Sequence, residues 1–490
     1  MPDLQTTLDR LRRLAPEARS FEFAITPLDV TGVPVWSVTQ WQEDGEMING
    51  IGYGPSDTRA LVGTWAELLE QTAAHRAGAA LQRRVASLHG LRAEGLDAVD
   101  PRRLRLPAGT AWDEHRELTW VKVRRHVDGV AWADQPEAWI PVEAAVTHTY
   151  DLRLAEGERP LYQPVSNGNG AGDTYERALG HGLLELVQRD GNSAGYRALD
   201  RGIRVDLDRV EDPISRNLLT TLDKLGIEVI VKLADTNLGM TNLYVVGHER
   251  DPAACPHPVM LSGCGEAAHP DREAALQKAL LEFCASRVRK FFSHGPLDRM
   301  EHLFPDGYLA AFRANPATVE ESRSFEGVRD LVNLTAEETM ALLEPTIFRV
   351  EATVRFSELP TVEPARVDTP EKLLDEVLAR YAAEGLDVFH LDCLPDGPTG
   401  LAACKAIVPE MEVETVTYHR IGARNLDRLV GRGSDLAGYG RPPAGARPVP
   451  LPDGRDAWLA TPKLDERMEP LYALYREPEV HAIALAEEPS

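Results

Sequence analysis

The sequence predicts a mixed α/β (α+β) fold built as one large domain. Three observations lead there. The 490 residues with 43% hydrophobic content can bury a large core. Strand patterns rich in β-branched residues are mixed with long helical patterns without the strict alternation of a doubly wound sheet. A helix-bearing unit also recurs three times with constant internal spacing.

The elements follow in order. Leu4, Leu8 and Leu11 share one helical face, so residues 3–14 read as a docking helix and 1–20 as an N-terminal unit. Strands are expected at 21–25 and 33–40 around a turn at Gly32, then at 227–231, 243–246, 346–355, 387–391 and 412–418. Helices are expected at 57–79, 173–198, 214–225, 271–292 and 369–384. The main domain then runs over 21–430. Residues 431–490 read as a Gly/Pro-rich linker and tail: Pro448, Pro450 and Pro452 favour extended backbone, and 463–476 can form one more helix.

A formal net charge of -24 argues against a general nucleic-acid binder, whose surface must attract phosphates. No apolar run reaches the length of a membrane span, and Met1-Pro2-Asp3 opens no basic, apolar leader. Five scattered cysteines give no disulfide framework and suit a reducing compartment, so a cytoplasmic location is expected. Cys255 and His257 are close, but nothing nearby completes a tetrahedral zinc site.

The threefold unit carries the chemistry. Leu61 to Glu67, Leu179 to Glu185 and Leu276 to Glu282 have the same spacing. Each helix follows a Gly-bearing segment, 52–57, 166–173 and 263–271, read as a loop closed by the N-cap Asp57, Asp173 or Asp271. Asp173 with Glu176 has capping-box spacing. Glu67 and Glu70 share a helical face, as do Glu185, Gln188 and Arg189. Their neighbours are leucines, and carboxylates on an apolar face need a partner. Mg2+ takes a few carboxylates together with phosphate oxygens, and an Arg fork can hold phosphate. On one helix such residues usually make a solvated face; three helices at matched depth point instead to a converging acidic site. The Gly segments match neither a Walker A nor a dinucleotide fingerprint.

Several of these stretches together resemble the YcaO family. They are Ser166-Asn167-Gly168, Ala171-Gly172, Glu176, Ala178, His181 to Glu185, Arg189-Asp190, Glu67-x-x-Glu70, Gly265 to Pro270 with Glu282, Ser286 and Arg287, and Tyr418 to Gly422. The likeness covers roughly residues 25–425. It implies a single domain that binds ATP and Mg2+ and phosphorylates a backbone amide oxygen, giving an azoline, thioamide or amidine. By motif position Glu67, Glu70, Glu185 and Gln188 would be metal ligands. Ser166, Asn167, Glu282 and Arg287 would line the nucleotide pocket. Arg189 would contact phosphate, and Arg189 and Glu185 would serve catalysis. The resemblance further implies a peptide or protein substrate of ribosomal natural-product maturation and a separate partner protein for recognition or sulfur delivery, and it allows a homodimer.

Three positions depart from the family pattern. Gln188 stands where a second Glu is usual, Tyr53 where Lys is common, and Gln71 where Arg is usual. Because Gln188 removes a charge, Gln188→Glu is expected to preserve metal binding or tighten it. The departures keep open a non-catalytic or partner-activated scaffold, or an accessory factor for modification of a ribosomal or housekeeping protein. Azoline-forming members often end in Pro-x-Pro-x-Pro; here that spacing is followed by 38 further residues, so an extended linker is an equal reading.

Overall fold

The computed structural model describes residues 3–14, 20–41, 47–315, 321–397 and 400–487. Its core is three strand–helix units. Strands β1 (Ser20–Ala24), β2 (Val35–Trp41) and β3 (Met47–Tyr53) form an antiparallel sheet, and β3 leads into the first glutamate helix, Asp57–Ala80. Strands β4 (Arg83–Ser87), β5 (Glu117–Arg125), β6 (Glu137–Pro141) and β7 (Asn169–Gly172) follow, and β7 leads into the second glutamate helix, Tyr175–Asn192. Then come β8 (Ile203–Asp206), β9 (Ile227–Asp235), β10 (Thr241–Glu249) and β11 (Gly265–His269), with β11 leading into the third, Arg272–His294. Strands β12 (Ala352–Arg355), β13 (Phe389–Asp392) and β14 (Ala402–Ile407) complete two larger sheets, ordered β11-β10-β9-β8-β12 and β4-β5-β13-β14-β7, with β6 paired to β5.

Each glutamate helix packs on its own strand and also touches the strand of another unit. The first helix reaches β7, the second β11 and the third β3. The three units therefore close a ring, with the helices turned towards a common centre.

Gly52, Gly170, Gly172 and Gly265, read as loop markers, are strand residues. A Cβ on Gly52 would lie 2.3 Å from Ala60 O, one on Gly170 2.1 Å from Ala178 O, and one on Gly265 2.0 Å from Ala279 O. Strand and helix backbones approach so closely that only glycine fits, so the Gly segments mark packing. Two caps also differ from expectation. Ser56 and Thr174, not Asp57 and Asp173, accept from the third residue on; Asp271 caps as expected, and Glu176 accepts from Trp132 Nε1 instead of closing a capping box.

The second helix ends at Asn192, not 198. Asn242 there donates to the carbonyls of Val187 and Gln188, and the chain turns sharply at Arg197, whose φ is 49°. Residues 412–418 form no strand, because Thr415–Tyr418 is a helical turn. The stretch from 346 is extended only at Ala352–Arg355.

Residues 431–487 pack where a linker was expected. Strands β15 (Ala437–Tyr439), β16 (Arg447–Pro448) and β17 (Ala457–Leu459) make a small sheet. Val449 and Leu451, between the prolines, are buried with Leu436, Leu459 and Leu464 against Ala194, Ile421 and Leu426. The prolines keep the segment extended, and its alternate residues supply a hydrophobic face that composition alone conceals. The N-terminal helix Leu4–Arg12 docks as expected, burying Leu8 and Leu11 on the first glutamate helix. Among the described residues no helix is long and apolar enough to cross a membrane.

Candidate active site

The three matched glutamates are anchored alike. Glu67 Oε2 accepts from Ile51 N of β3 at 2.8 Å, and Glu185 Oε2 accepts from Gly168 N beside β7 at 2.9 Å. Glu282 accepts from the backbone of Glu266 in β11. Each carboxylate is thereby turned to the strand of its own unit and inward to the ring. Tyr53 Oη joins two units by donating to Glu282 Oε2 at 3.1 Å.

The electrostatics confirm a shared centre. Burial and the charges of Glu282 and Glu185 push the Glu67 carboxyl up to about 7, against a backbone hydrogen bond and Arg289. Burial, Glu185 and Glu67 raise Glu70 well above its ordinary value. Burial and Glu266 raise Glu282 despite Lys278 and Arg189. Glu67 feels carboxylates of both other glutamate helices, which brings the three helices to one cleft.

Sequence-predicted residues divide into two groups. Glu67, Glu70, Glu185, Glu282 and Arg189 meet in the cleft: Arg189 lies 3.5 Å from Glu185, 3.5 Å from Glu266 and 3.6 Å from Glu414. Ser166 is exposed and Asn167 half-buried just before Gly168, so both flank Glu185. Gln188 is buried and donates to Glu266 Oε2 at 3.2 Å. Its amide therefore faces a carboxylate, and a Glu here would set two buried like charges together. Whatever Gln188→Glu does to metal binding, it would therefore place a charge cost on the metal-free protein.

Arg287 stands apart. Its guanidinium is fully buried and bound to Asp29 at 2.9 Å and Glu249 at 2.6 Å, tying the loop after β1 and the end of β10 to the third helix. All its charge is spent inside the core, so the structure gives it a packing role and not a place in the pocket lining. Asp190, next to Arg189, likewise gathers Arg424, Arg428 and Glu412 N away from the cleft.

Several cleft residues escaped the sequence reading. Glu266 accepts from Gln188 and Asn192; burial would raise it, but Arg189, Arg197 and these hydrogen bonds hold it below its ordinary value. Lys278, one turn before Glu282 on the same face, offsets Glu70 and Glu282. Lys405 of β14 is buried behind Glu185 and Glu70; burial lowers it to about 8 and those carboxylates oppose the shift. A lone lysine in the apolar run Ala402 to Val408 was the available signal for it. Arg197, Arg289 and Glu414 carried none.

The donor set fits Mg2+ and a nucleotide. These carboxyls are raised first by burial and then by like charges, and a hard divalent ion among them would relieve both. Asn167 Nδ2 and Arg189 Nε are buried and have no hydrogen-bond partner among the described residues, leaving donors for phosphate or ribose oxygens. The carboxylates do not form a closed cage. Among the described residues, the one set of three His, Cys, Asp or Glu ligand atoms within 4.8 Å of one another is the exposed His89, Glu114 and His115. An open array fits Mg2+, which keeps waters and phosphate oxygens among its ligands.

Comparison with known proteins decides the family. Residues 51–412 match the model described as YcaO cyclodehydratase, ATP- and Mg2+-binding. The chain belongs to the YcaO family. ATP and Mg2+ are the cofactors of that family, and the cleft lies within the matched residues. The YcaO chain is also similar to an uncharacterized protein of Methanothermobacter thermautotrophicus, 28% identical over 82% of this chain and 91% of that one. Among solved structures it resembles a heterocyclase in complex with substrate and cofactor, with TM-score 0.61 and 18% identity over 88% of this chain; it spans 55% of that heterocyclase's length. It also resembles YcaO from Methanopyrus kandleri bound with AMPPCP and Mg2+, with TM-score 0.54 and 20% identity over 84% of this chain and 92% of that one.

Proposed function

We propose that this YcaO protein uses Mg2+ and ATP to O-phosphorylate a backbone amide of a ribosomally made peptide, yielding an azoline or a thioamide. The observation that carries the reading is the ring of three glutamates at matched depth: Glu67 and Glu185 are pinned to the strands of their own units, and Glu67 feels the charges of both Glu185 and Glu282. Glu67, Glu70 and Glu185 would hold the metal, Asn167 and Ser166 would contact the nucleotide, and Arg189 would meet phosphate oxygens. Gln188 orients Glu266, which places a carboxylate opposite the position where the family pattern has its second Glu.

Bound Mg2+ and ATP supply the transferable phosphoryl group and neutralise its charge. The amide oxygen gains a bond to phosphorus as the bond to ADP breaks. A Cys, Ser or Thr side chain of the substrate, or sulfide, would bond to the amide carbon, and the oxygen would leave as phosphate. On the way to an azoline the side chain and the amide nitrogen each give up a proton, whereas on the way to a thioamide the sulfide gives up its protons and the amide nitrogen keeps its own. Arg189 stabilises charge on the phosphate that forms and leaves. Lys405, lowered to about 8 by burial but still mostly charged near pH 7, keeps the surroundings of Glu185 from becoming wholly anionic.

The test is turnover with a peptide substrate and a partner protein that delivers it. Expected products are ADP and phosphate, with a peptide lighter by one water for an azoline or carrying sulfur for oxygen in a thioamide. AMP and pyrophosphate would reject amide phosphorylation in favour of adenylation.

A further inference from the structure

The third glutamate helix is buried along its last three turns except at one place. From Phe283 to His294 every side chain is enclosed but Arg289, whose side chain keeps 48% of its surface accessible. Arg289 is seven residues beyond Glu282, two turns on along the same face, and so points to the same cleft. Its surroundings fit that placement: Tyr53, Glu67 and Glu282 all feel its charge.

The Glu477 side chain, from the segment after the main domain, holds this arginine from behind. Glu477 lies 4.0 Å from Arg289 Nη2, contacts Lys290 Nζ and sits 3.1 Å from His294 Nε2. The segment around it is tied down on both sides. Tyr475 Oη accepts from Ala198 N and donates to Tyr196 O, Arg476 lies over the Tyr418 ring, and His481 N donates to Ser293 O. One carboxylate thus faces three cationic or basic groups, and of these only Arg289 also reaches the solvent side.

We propose that Arg289, beside Glu67 and Glu282, is a second phosphate-binding arginine of the cleft, in addition to Arg189 beside Glu185 and Glu266, and that Glu477 is its positioning residue. Arg189 is shared among Glu185, Glu266 and Glu414. Arg289 has a single carboxylate within ion-pair distance among the described residues, at the long limit of 4.0 Å, so its fork of donors can take a bidentate anion. A nucleotide held by metal ions in the cleft would then meet two arginines, one from the second glutamate helix and one from the third. The inference rests on the proposed nucleotide site and extends it to residues outside the matched stretch, since Glu477 lies beyond residue 412.

Calorimetric titration of the full-length protein with a non-hydrolysable ATP analogue in Mg2+, and displacement by adenosine alone, tests it. Arg289→Ala should weaken the analogue about 10-fold or more and leave adenosine unchanged, with Arg289→Lys between. Glu477→Gln should cost the analogue several-fold, again without touching adenosine, because it loosens the arginine and not the base. Wild-type affinity for the analogue in Arg289→Ala, or equal losses for analogue and adenosine, would overturn the inference while leaving the functional reading intact. A wild-type protein that binds neither ligand would overturn both.

Discussion

The two sides of the cleft are built from the same repeated unit yet balanced differently. Around Glu67, Glu70 and Glu282, burial and mutual repulsion raise the carboxyls, and the nearby cations Lys278 and Arg289 do not restore them. Around Glu266, Arg189 and Arg197 outweigh burial, and two amides complete the shell. One side is short of positive charge and the other is neutralised. The side held short of cations is prepared to take a divalent ion together with the phosphate that Arg289 would meet; the neutralised side can accept a phosphate without repelling it. The contrast also explains Gln188: a neutral donor keeps the Arg189 side balanced, where a second glutamate would not.

The largest expected effect separates packing from function. Arg287→Met would strand Asp29 and Glu249 without a partner in the core and should cost about 3–5 kcal/mol of stability. Arg189→Met should cost much less stability and yet remove turnover. Thermal unfolding with a turnover assay checks both; equal stability losses would erase the distinction between the two arginines.

Turnover comes next. Glu67→Ala or Glu185→Ala should lower it roughly 100-fold or more, because a missing ligand misplaces the phosphoryl group. Folded variants with full turnover would make those helices structural only.

Gln188→Glu should then destabilise the metal-free protein by about 1–3 kcal/mol, since it buries a second carboxylate against Glu266. Chemical denaturation at pH 8 reads this directly, and unchanged stability would show that the Arg189 side tolerates more negative charge than its geometry indicates.

The smallest effect has the opposite sign. Glu67 has a folded-state value of about 7 against an ordinary 4.5. A raised carboxyl favours folding below its unfolded value, and that advantage is lost as pH rises through 7. Metal-free wild type should therefore lose stability between about pH 4.5 and 7 relative to Glu67→Gln, ending about 1–2 kcal/mol below it at pH 8. With Mg2+ and ATP the order should reverse, because the ligands stabilise the protein that binds them. Parallel stability curves across that range would mean that Glu67 is not strained by its neighbours.

How much of this could be read from the chain depended on where the partners lay. Glu67, Glu185 and Glu282 were legible because helical spacing fixes which residues share a face, and the repeat set them at one depth. The glycines before them were seen but misread, since a close strand–helix approach and a loop leave the same composition. Arg287 was misplaced because its partners, Asp29 and Glu249, are far away in sequence, and motif position cannot reveal a buried ion pair. Glu266 and Lys405 reach the cleft, and Glu477 reaches Arg289, from other elements through tertiary packing, which periodicity does not encode. The C-terminal segment was mistaken for a linker because its prolines hide Val449 and Leu451 as a buried face.

The central claim is that glutamates from different units of the ring hold one metal–nucleotide site. Mn2+, a paramagnetic stand-in for Mg2+, can be counted by electron paramagnetic resonance in the presence of a non-hydrolysable ATP analogue. The account predicts tightly bound Mn2+ in the wild type and a clear loss of it in both Glu67→Gln and Glu185→Gln, although the two residues lie on different helices. Full Mn2+ occupancy in both folded variants would contradict it.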